Sequence, residues 1–262
     1  MEILVPVIIV AAIGLVCGVM LSLASHFLAV KTAERVEKVR EVLPGANCGA
    51  CGYTGCDGYA AAIAAGEAEL TQCAPGGAET AKAIGEIMGA DVGDVRKKYA
   101  VVMCSGNRDV TENKFDYHGL NSCAAAALVA SGPASCRYGC MGLGDCAAVC
   151  QNDAIAVVNG VAVVDKELCG GCGKCVTACP KQVIRVVDAD NRAVVTCKNA
   201  DKGAETRKVC KTGCIGCMKC QKVCEYGAVT VTNFVATVDN DKCVGCGKCE
   251  EACPQHIIKV MQ

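Results

Sequence analysis

Aromatic side chains are scarce in this 262-residue chain, which has no tryptophan and an aromatic content of 3%. An interior built mainly from large rings is therefore excluded. Alanine, glycine, valine and cysteine dominate, as expected where inorganic cofactors fill the interior. Histidine is also rare, and the three histidines (His26, His118 and His256) lie far apart in the sequence. No acid–base or nucleophilic constellation is visible, so no catalytic residue is predicted.

Nucleotide-binding motifs are missing as well. Gly142, Gly144 and Ala147 formally match the G-x-G-x-x-A pattern, but no strand is predicted before them and cysteines interrupt the pattern. The sequence shows no P-loop and no flavin motif. Nicotinamide chemistry is therefore not expected in this chain, and no nucleic-acid partner is expected either.

Charged side chains are absent between Ile3 and Val30, a stretch longer than the ~20 residues needed to span a bilayer. No basic segment precedes it and no cleavage site is obvious, so a single uncleaved transmembrane anchor is predicted. The flank that follows contains Lys31, Arg35, Lys38 and Arg40. The positive-inside rule then places the rest of the chain on the cytoplasmic side of the cytoplasmic membrane. Cys17 is expected to be a small apolar residue of the anchor.

Cysteine, in contrast, is abundant, with 25 residues that fall mostly in regular runs. Two runs read C-x2-C-x2-C-x3-C-P, the ligand pattern of bacterial [4Fe–4S] ferredoxins. They consist of Cys169, Cys172, Cys175 and Cys179, and of Cys243, Cys246, Cys249 and Cys253. A third run has the same spacing without the proline and consists of Cys214, Cys217, Cys220 and Cys224. The runs predict a protein that carries single electrons.

Two alternatives to iron–sulfur clusters fit the pattern less well. A disulfide scaffold fits a short secreted chain, whereas this one is expected to face the reducing cytoplasm. Zinc sites usually pair two C-x2-C units across a longer gap, which three closely spaced cysteines and a C-P step do not match. A zinc-binding interaction module remains the competing hypothesis, and metal and sulfide analysis separates the two.

A different cysteine pattern follows the predicted anchor. Cys48, Cys51, Cys56 and Cys73 form C-x2-C-x4-C-x16-C, and the glycines between them let the backbone approach a cofactor closely. A helix over Ala60–Leu70 is predicted to return Cys73 to the other three. We expect a separate [4Fe–4S] site here, with a zinc ion held by the same thiolates as the alternative. Val36, Val39 and Leu43 predict a short helix that ends before Pro44.

An internal repeat begins near residue 101. The segment CRYGCMGLGDCAAVC aligns without gaps on CKTGCIGCMKCQKVC, so Cys136, Cys140, Cys146 and Cys150 align with Cys210, Cys214, Cys220 and Cys224. Each copy is predicted to be a two-cluster ferredoxin module. Leu143 stands where the second copy has Cys217, so the first copy must recruit another thiolate, for which Cys136 is the nearest candidate and Cys123 or Cys104 are the alternatives.

Four cysteines after the anchor belong to no regular run: Cys104, Cys123, Cys197 and Cys210. They are spare thiols, buried structural residues or ligands of a further site. Because VVMC ending at Cys104 matches VVTC ending at Cys197, the repeat favours a shared purpose for these two residues.

Short β-strand signals lie between the cysteine runs. AIAVVNGVAVVD places Asn159-Gly160 between two apolar strands, which is a strong hairpin signal. VIRVVDADNRAVV and AVTVTNFVATVD repeat the pattern. The predicted fold class is α+β. The predicted domains are an anchor (1–30), a juxtamembrane helix and linker (31–45), a small helical [4Fe–4S] domain (46–100) and two ferredoxin modules (101–190 and 191–262).

The order of these features, with an anchor, then NCGACGYTGCDGYAAAIA…C, then tandem ferredoxin modules, resembles the B subunit of Rnf electron-transport complexes over nearly the whole chain. The segment around Cys48–Cys73 is also similar to the cluster domain of corrinoid iron–sulfur proteins. The resemblance implies a membrane complex that oxidises reduced ferredoxin, reduces NAD and translocates sodium ions or protons. Its B subunit accepts the electrons from ferredoxin. A membrane-tethered polyferredoxin that serves another reductase is the alternative. The chain departs from the ferredoxin pattern at Leu143, Gln151 and Glu225.

About five [4Fe–4S] clusters are predicted, and one of them is held by Cys48, Cys51, Cys56 and Cys73. In the first module the predicted sets are Cys136, Cys140, Cys146 and Cys179, and Cys150, Cys169, Cys172 and Cys175. In the second module they are Cys214, Cys217, Cys220 and Cys253, and Cys224, Cys243, Cys246 and Cys249. The basic stretch 192–222, beside the run that contains Cys217, is either a solvated loop or a docking surface for an acidic ferredoxin.

Overall fold

The structure is a computed structural model and describes residues 14–20, 34–93 and 95–261. Its chain divides into two compact units, Met1–Val95 and Arg96–Gln262. Most of the predicted anchor, Ile3–Val30, lies outside the described residues. Residues 14–20 within it are helical and expose their large apolar side chains, Leu15, Val16, Val19 and Met20. In the part of the chain that the structure describes, no helix combines the length and the apolar composition needed to cross a membrane.

The first unit is helical around its cysteines. Residues 34–42 form the helix that was predicted to end before Pro44. Helix α1 (Cys56–Ala65) starts earlier than the predicted helix and ends at Gly66, whose left-handed backbone stops it before residue 70. Helix α2 (Gly77–Met88) follows. Val39, Tyr59, Ile63 and Ile84 are fully buried between these helices, and Cys56 lies in the same core.

The second unit contains one strand arrangement twice. In the first copy, β1 (Lys98–Val102) pairs with β4 (Ile184–Asp188) and β2 (Ile155–Val158) pairs with β3 (Val161–Val164), both antiparallel. In the second copy, β5 (Ala193–Val195) pairs with β8 (Ile258–Val260) and β6 (Val229–Thr232) pairs with β7 (Val235–Val238). The order and pairing of the strands therefore reproduce the sequence repeat. Strand β1 starts at Lys98, so the domain boundary predicted after residue 100 divides it.

The hairpin predicted at Asn159-Gly160 is confirmed, because the two residues join β2 to β3 with φ values of 48° and 80°. Positive φ at both central residues is the signature of the turn that suits the twist of paired strands. The second copy uses Asn233 and Phe234 in the same way. The third predicted hairpin, over VIRVVDADNRAVV, is wrong. Strands β4 and β5 each pair within their own copy, so the residues between them connect the two modules.

Six short helices lie between the strands in the described part of the second unit, and five of them contain one cysteine each. The six helices are α3 (Cys123–Ala127), α4 (Asp145–Ala148), α5 (Lys174–Ala178), α6 (Gly203–Val209), α7 (Lys219–Lys222) and α8 (Lys248–Glu251). Each copy has its own apolar core, in which Val183 and Ile184, or Ile257 and Ile258, are almost fully buried. Cysteine side chains form part of both cores, so the strands place the thiols at the centre of each module.

Candidate cluster-binding sites

The four ferredoxin-type runs share one local structure. The third cysteine of each run lies on a short helix and is buried, as seen for Cys146, Cys175, Cys220 and Cys249. The residue that caps each helix has a left-handed backbone: Gly144 (φ 87°), Gly173 (φ 75°), Met218 (φ 60°) and Gly247 (φ 80°). This conformation turns the chain sharply between the second and third cysteine positions, so the loop folds back on itself. Met218 adopts it at a steric cost that glycine avoids.

Glycines inside the loops let the backbone approach the hairpin turns. A β-carbon on Gly142 would overlap the backbone of Gly160, and one on Gly216 would lie 3.1 Å from Cα of Phe234. Both glycines have positive φ (69° and 65°), which side chains rarely tolerate. In each module, one cysteine loop therefore packs closely against the hairpin turn of the same module.

In the first unit, the predicted set Cys48, Cys51, Cys56 and Cys73 is gathered around the start of α1. The Asn47 side chain accepts a hydrogen bond from the Cys56 backbone N–H at 2.8 Å. Burial raises the pKa of the Cys73 thiol. The neighbouring Cys48, Cys56 and Cys51 raise it further through charge repulsion. The Tyr59 hydroxyl donates to Glu69 O at 2.7 Å and accepts from Gln72 N at 3.1 Å, which holds the segment leading to Cys73.

In the first module, Cys150 is brought to the run that begins at Cys169, as predicted for a crossing ligand. Burial raises the pKa of Cys175 to about 11, with further contributions from Cys169, Cys172 and Cys150. Two backbone N–H groups donate to sulfur in this set, from Ala154 to Cys150 Sγ and from Ala100 to Cys169 Sγ, both at 3.3 Å. Donors placed around the sulfurs favour the thiolate form that iron requires.

The second module repeats this arrangement. Burial raises the pKa of Cys220 to about 11, and Cys253, Cys214 and Cys217 add to it. Cys253 lies in the same core as Cys214 and Cys220. Burial also raises the pKa of Cys249, with contributions from Cys243 and Cys224. Ala228 N donates to Cys224 Sγ at 3.3 Å, the counterpart of the bond to Cys150. Cys217 and Cys246 are exposed.

The remaining set of the first module differs from its prediction. Cys140, Cys146 and Cys179 line a cavity of about 360 Å³, and the fourth cysteine in its wall is Cys123. Burial raises the pKa of Cys146 to about 12, with Cys140, Cys123 and Cys179 contributing. Cys136 does not line this cavity. The structure therefore brings Cys123, and not the predicted Cys136, together with Cys140, Cys146 and Cys179.

Asp145 fixes the position of Cys123. Its carboxylate accepts hydrogen bonds from Cys123 N at 2.8 Å, Ala124 N at 2.9 Å and Ser122 Oγ at 3.0 Å. Burial alone would raise the pKa of Asp145, but these three bonds outweigh it and lower the pKa. The carboxylate therefore joins the start of α3 to the helix that carries Cys146.

Cys136 lies in another cavity, together with three of the four cysteines outside the regular runs: Cys104, Cys197 and Cys210. Sequence reasoning left the role of these three residues open. Apart from Cys17, the chain has 24 cysteines, a multiple of four. Within the described residues, no three Cys, His, Asp or Glu side chains are arranged to hold a single metal ion.

Three family models match the chain. An Fe-S cluster model covers residues 43–75, a 4Fe-4S binding domain model covers 161–184, and a 4Fe-4S dicluster domain model covers 213–257. These ranges include the Cys48–Cys73 set and parts of both ferredoxin modules. The matches support iron–sulfur domains of mixed helix and strand.

Curated relatives resemble the chain over most of its length. The B subunit of the ion-translocating oxidoreductase complex of Methanosarcina acetivorans is 39% identical, with 96% of each chain covered. The B subunit of the Na(+)-translocating ferredoxin:NAD(+) oxidoreductase complex of Acetobacterium woodii is 44% identical over 92% of this chain and 72% of its own. The proton-translocating counterpart of Clostridium ljungdahlii is 35% identical over 88% and 82%. The chain belongs to the family of B subunits of Rnf-type ion-translocating oxidoreductase complexes.

Proposed function

We propose that this chain is the electron-transfer subunit of an ion-translocating ferredoxin:NAD oxidoreductase complex, in which it accepts electrons from reduced ferredoxin. The observation that carries the proposal is the gathering of cysteine thiols into sets of four, in both units of the chain. NAD reduction and ion translocation belong to partner subunits, since this sequence has no nucleotide-binding motif.

Five [4Fe–4S] clusters fit the sets described above. One set is Cys48, Cys51, Cys56 and Cys73. The other four are Cys123, Cys140, Cys146 and Cys179; Cys150, Cys169, Cys172 and Cys175; Cys214, Cys217, Cys220 and Cys253; and Cys224, Cys243, Cys246 and Cys249. Clusters supply one-electron chemistry when bound. The chain holds them with thiolates and sets their potentials through backbone N–H donors to sulfur, burial and nearby charge.

Ferredoxin docks, in this proposal, on the basic surface formed by Arg207, Lys208, Lys211, Lys219 and Lys222. All five side chains are exposed, and Lys208 is paired with Glu205 at 2.8 Å. Cys217, at the exposed end of its run, and the half-exposed Met218 belong to the same segment. Opposite charge on a partner steers encounter, and exposure of a ligand loop shortens the path to a docked donor.

The membrane anchor is likewise proposed from sequence, with the cluster domains on the cytoplasmic side. Its support is the uncharged stretch 3–30 and the basic residues that follow. In intact cells, external protease should leave the C-terminus uncut, and C-terminal cleavage from outside would reverse this topology.

The decisive experiment measures electron acceptance by the purified chain under anaerobic conditions. Reduced ferredoxin should bleach the visible absorption of the chain, and the native complex should co-purify with the other subunits and reduce NAD. A chain that is bleached by ferredoxin but co-purifies with a different reductase would favour the tethered polyferredoxin instead. A reconstituted chain that holds mainly zinc and no labile sulfide would contradict both.

A further inference from the structure

Four cysteines that belong to none of the five proposed sets surround one cavity in the second unit. Cys104, Cys136, Cys197 and Cys210 line a space of about 420 Å³, which Cys140 also borders. The cavity lined by the ferredoxin-type cysteines Cys140, Cys146 and Cys179 is of similar size, about 360 Å³ with its solvent-open side included, as for the first figure. We propose that these four thiolates bind a sixth [4Fe–4S] cluster, placed between the two ferredoxin modules.

The ligands of the proposed sixth site are related by the repeat. Cys104 is the counterpart of Cys197, and Cys136 is the counterpart of Cys210, so each module contributes the same two thiols. Cys104 and Cys197 face each other directly in an antiparallel bridge. Equivalent residues can face each other in this way only where the two copies meet about a local two-fold axis. The site therefore lies at the junction of the copies, and neither copy can complete it alone.

Backbone donors to sulfur support a thiolate role for this pair. Cys140 N donates to Cys104 Sγ at 3.4 Å, and Cys214 N donates to Cys197 Sγ at 3.3 Å. The two donors are themselves counterparts in the repeat. The same type of bond reaches Cys150, Cys169 and Cys224, which belong to the ferredoxin-type sets. N–H groups aimed at sulfur stabilise a coordinated thiolate and tune the bound group.

Asn199 adds a buried polar side chain aimed at the same site. It is 2% exposed. Its backbone N–H donates to Cys197 Sγ at 3.5 Å, and its side-chain amide donates to Cys136 Sγ at 3.6 Å. Asn199 therefore offers one N–H group to each of two sulfurs, while its side-chain oxygen accepts a hydrogen bond from Asp201 N at 2.7 Å. N–H donors aimed at sulfur are expected around a group that places negative charge on the sulfurs.

The backbone also leaves room beside the sulfurs. A β-carbon on Gly106 would lie 3.4 Å from Cys210 Sγ and 3.6 Å from Cys104 Sγ. Glycine at this position keeps that space open and lets the chain pass close to both thiols. Gly139 and Gly213, which precede the first ligands of the neighbouring ferredoxin runs, line the same cavity.

A cluster at this position would connect the two modules electrically, because its ligands come from both. The inference rests on the proposed iron–sulfur function of the other sites, and it adds to their number. It also explains why Cys136 is free from the set of Cys140, Cys146 and Cys179, which Cys123 completes.

The experiment counts iron, acid-labile sulfide and zinc in the full-length chain, purified anaerobically in detergent and reconstituted with iron and sulfide. We expect about 24 iron and 24 sulfide atoms per chain, from six clusters of four. Cys136→Ala and Cys104→Ala should each remove about 4 of both. Cys17→Ala, which changes a cysteine of the predicted anchor, should remove none.

A second comparison separates the sixth site from its neighbour. Adding Leu143→Cys to Cys136→Ala should not restore the lost iron, because Leu143 belongs to the loop of the other cavity. Restoration would overturn the proposal and return Cys136 to that set. If Cys104→Ala fails to fold, three measurements still test the proposal. They are the iron content of Cys136→Ala, which changes a half-buried residue, the iron content of the wild type, and the spin count of the reduced protein.

The remaining outcomes are also decisive. About 20 iron atoms in the wild type, unchanged in both variants, would overturn the sixth site and leave the proposed function standing. Loss of one zinc or one iron without sulfide would show a single-metal site and overturn the cluster. A wild-type chain without iron and sulfide would overturn the proposed function as well.

Discussion

The two ferredoxin modules share strands, hairpins and helix positions, yet they differ in the position of one cysteine. The second module has Cys217 within its run, whereas the first has Leu143 at that position and places Cys123 in the cavity of Cys140, Cys146 and Cys179. The segment between Cys104 and Cys136 is longer than its counterpart between Cys197 and Cys210, and the extra length includes α3. The difference shows that a module can keep the number of its thiols while their sequence positions change.

The most direct way to break this comparison is to remove the recruited thiol. We expect Cys123→Ala to lose about 4 iron and 4 sulfide atoms per chain, because the set of Cys140, Cys146 and Cys179 is left with three ligands. Adding Leu143→Cys should restore them, since it recreates the pattern of the second module. Iron analysis and the spin count of the reduced protein measure both steps. Full iron content in Cys123→Ala would contradict the recruitment.

A charge reversal tests whether only the second module receives ferredoxin. Changing Arg207, Lys208 and Lys211 to Glu should slow reduction by ferredoxin about tenfold at low salt, with the difference shrinking as salt rises. Stopped-flow bleaching provides the rates. Reduction by dithionite, which needs no docking, should be unaffected.

The matched control for that variant lies in the first module. Lys97, Lys166 and Lys174 changed to Glu alter the net charge equally, away from the run that contains Cys217. This control should retain the ferredoxin rate of the parent chain. Equal slowing in both triple variants would mean that total charge, and no particular docking surface, governs the encounter.

The carboxylate of Asp145 offers a finer test of how the first module holds its recruited ligand. We expect Asp145→Ala to reduce the iron of that set by about half and to make the remainder more sensitive to chelator, because Cys123 loses the hydrogen bonds that fix it. Lys219 occupies the equivalent position in the second module, and Lys219→Ala should leave iron unchanged. Adding Leu143→Cys to Asp145→Ala should restore full occupancy if Asp145 acts only through Cys123, whereas a general folding defect would persist.

The smallest expected effect concerns the helix caps. Three of the four caps are glycines, and the second module uses Met218 with φ 60°. Met218→Gly removes a left-handed strain of ~1–2 kcal/mol, partly offset by the ~0.5–1 kcal/mol entropic cost of glycine. The thermal midpoint of the reconstituted chain should rise by about 2 °C. A lower midpoint would show that the Met218 side chain contributes more through contacts than its backbone costs.

Much of this architecture follows from local sequence rules. The ferredoxin runs, the turn at Asn159-Gly160 and the helix before Pro44 each depend on residues close together in the chain, so spacing and backbone preference suffice to predict them. The position of Cys123 depends on contacts across a loop, above all those of Asp145, so it cannot be predicted from the spacing of cysteines in the sequence. The same holds for β4 and β5, whose apolar pattern fits a hairpin although each strand finds its partner about 65 to 90 residues away in its own copy.

The cavity shared by the modules illustrates the same limit. Cys104 and Cys197 are aligned by the repeat, but alignment alone leaves open whether equivalent residues meet. The bridge between them shows that they do. The sequence shows which cysteines lie outside the runs. The tertiary structure is needed to show that Cys104, Cys197 and Cys210 lie around one cavity with Cys136.

The bridge between Cys104 and Cys197 also bears on how such a chain could arise. Equivalent residues that face each other antiparallel form an isologous contact, the kind that joins two identical protomers about a two-fold axis. Two separate copies of a single module could therefore have built the same four-thiol cavity as a homodimer. Fusion of two such genes would have kept the axis and freed each half to diverge, so that the first half has α3 with Cys123 and the second half has Cys217 within its run.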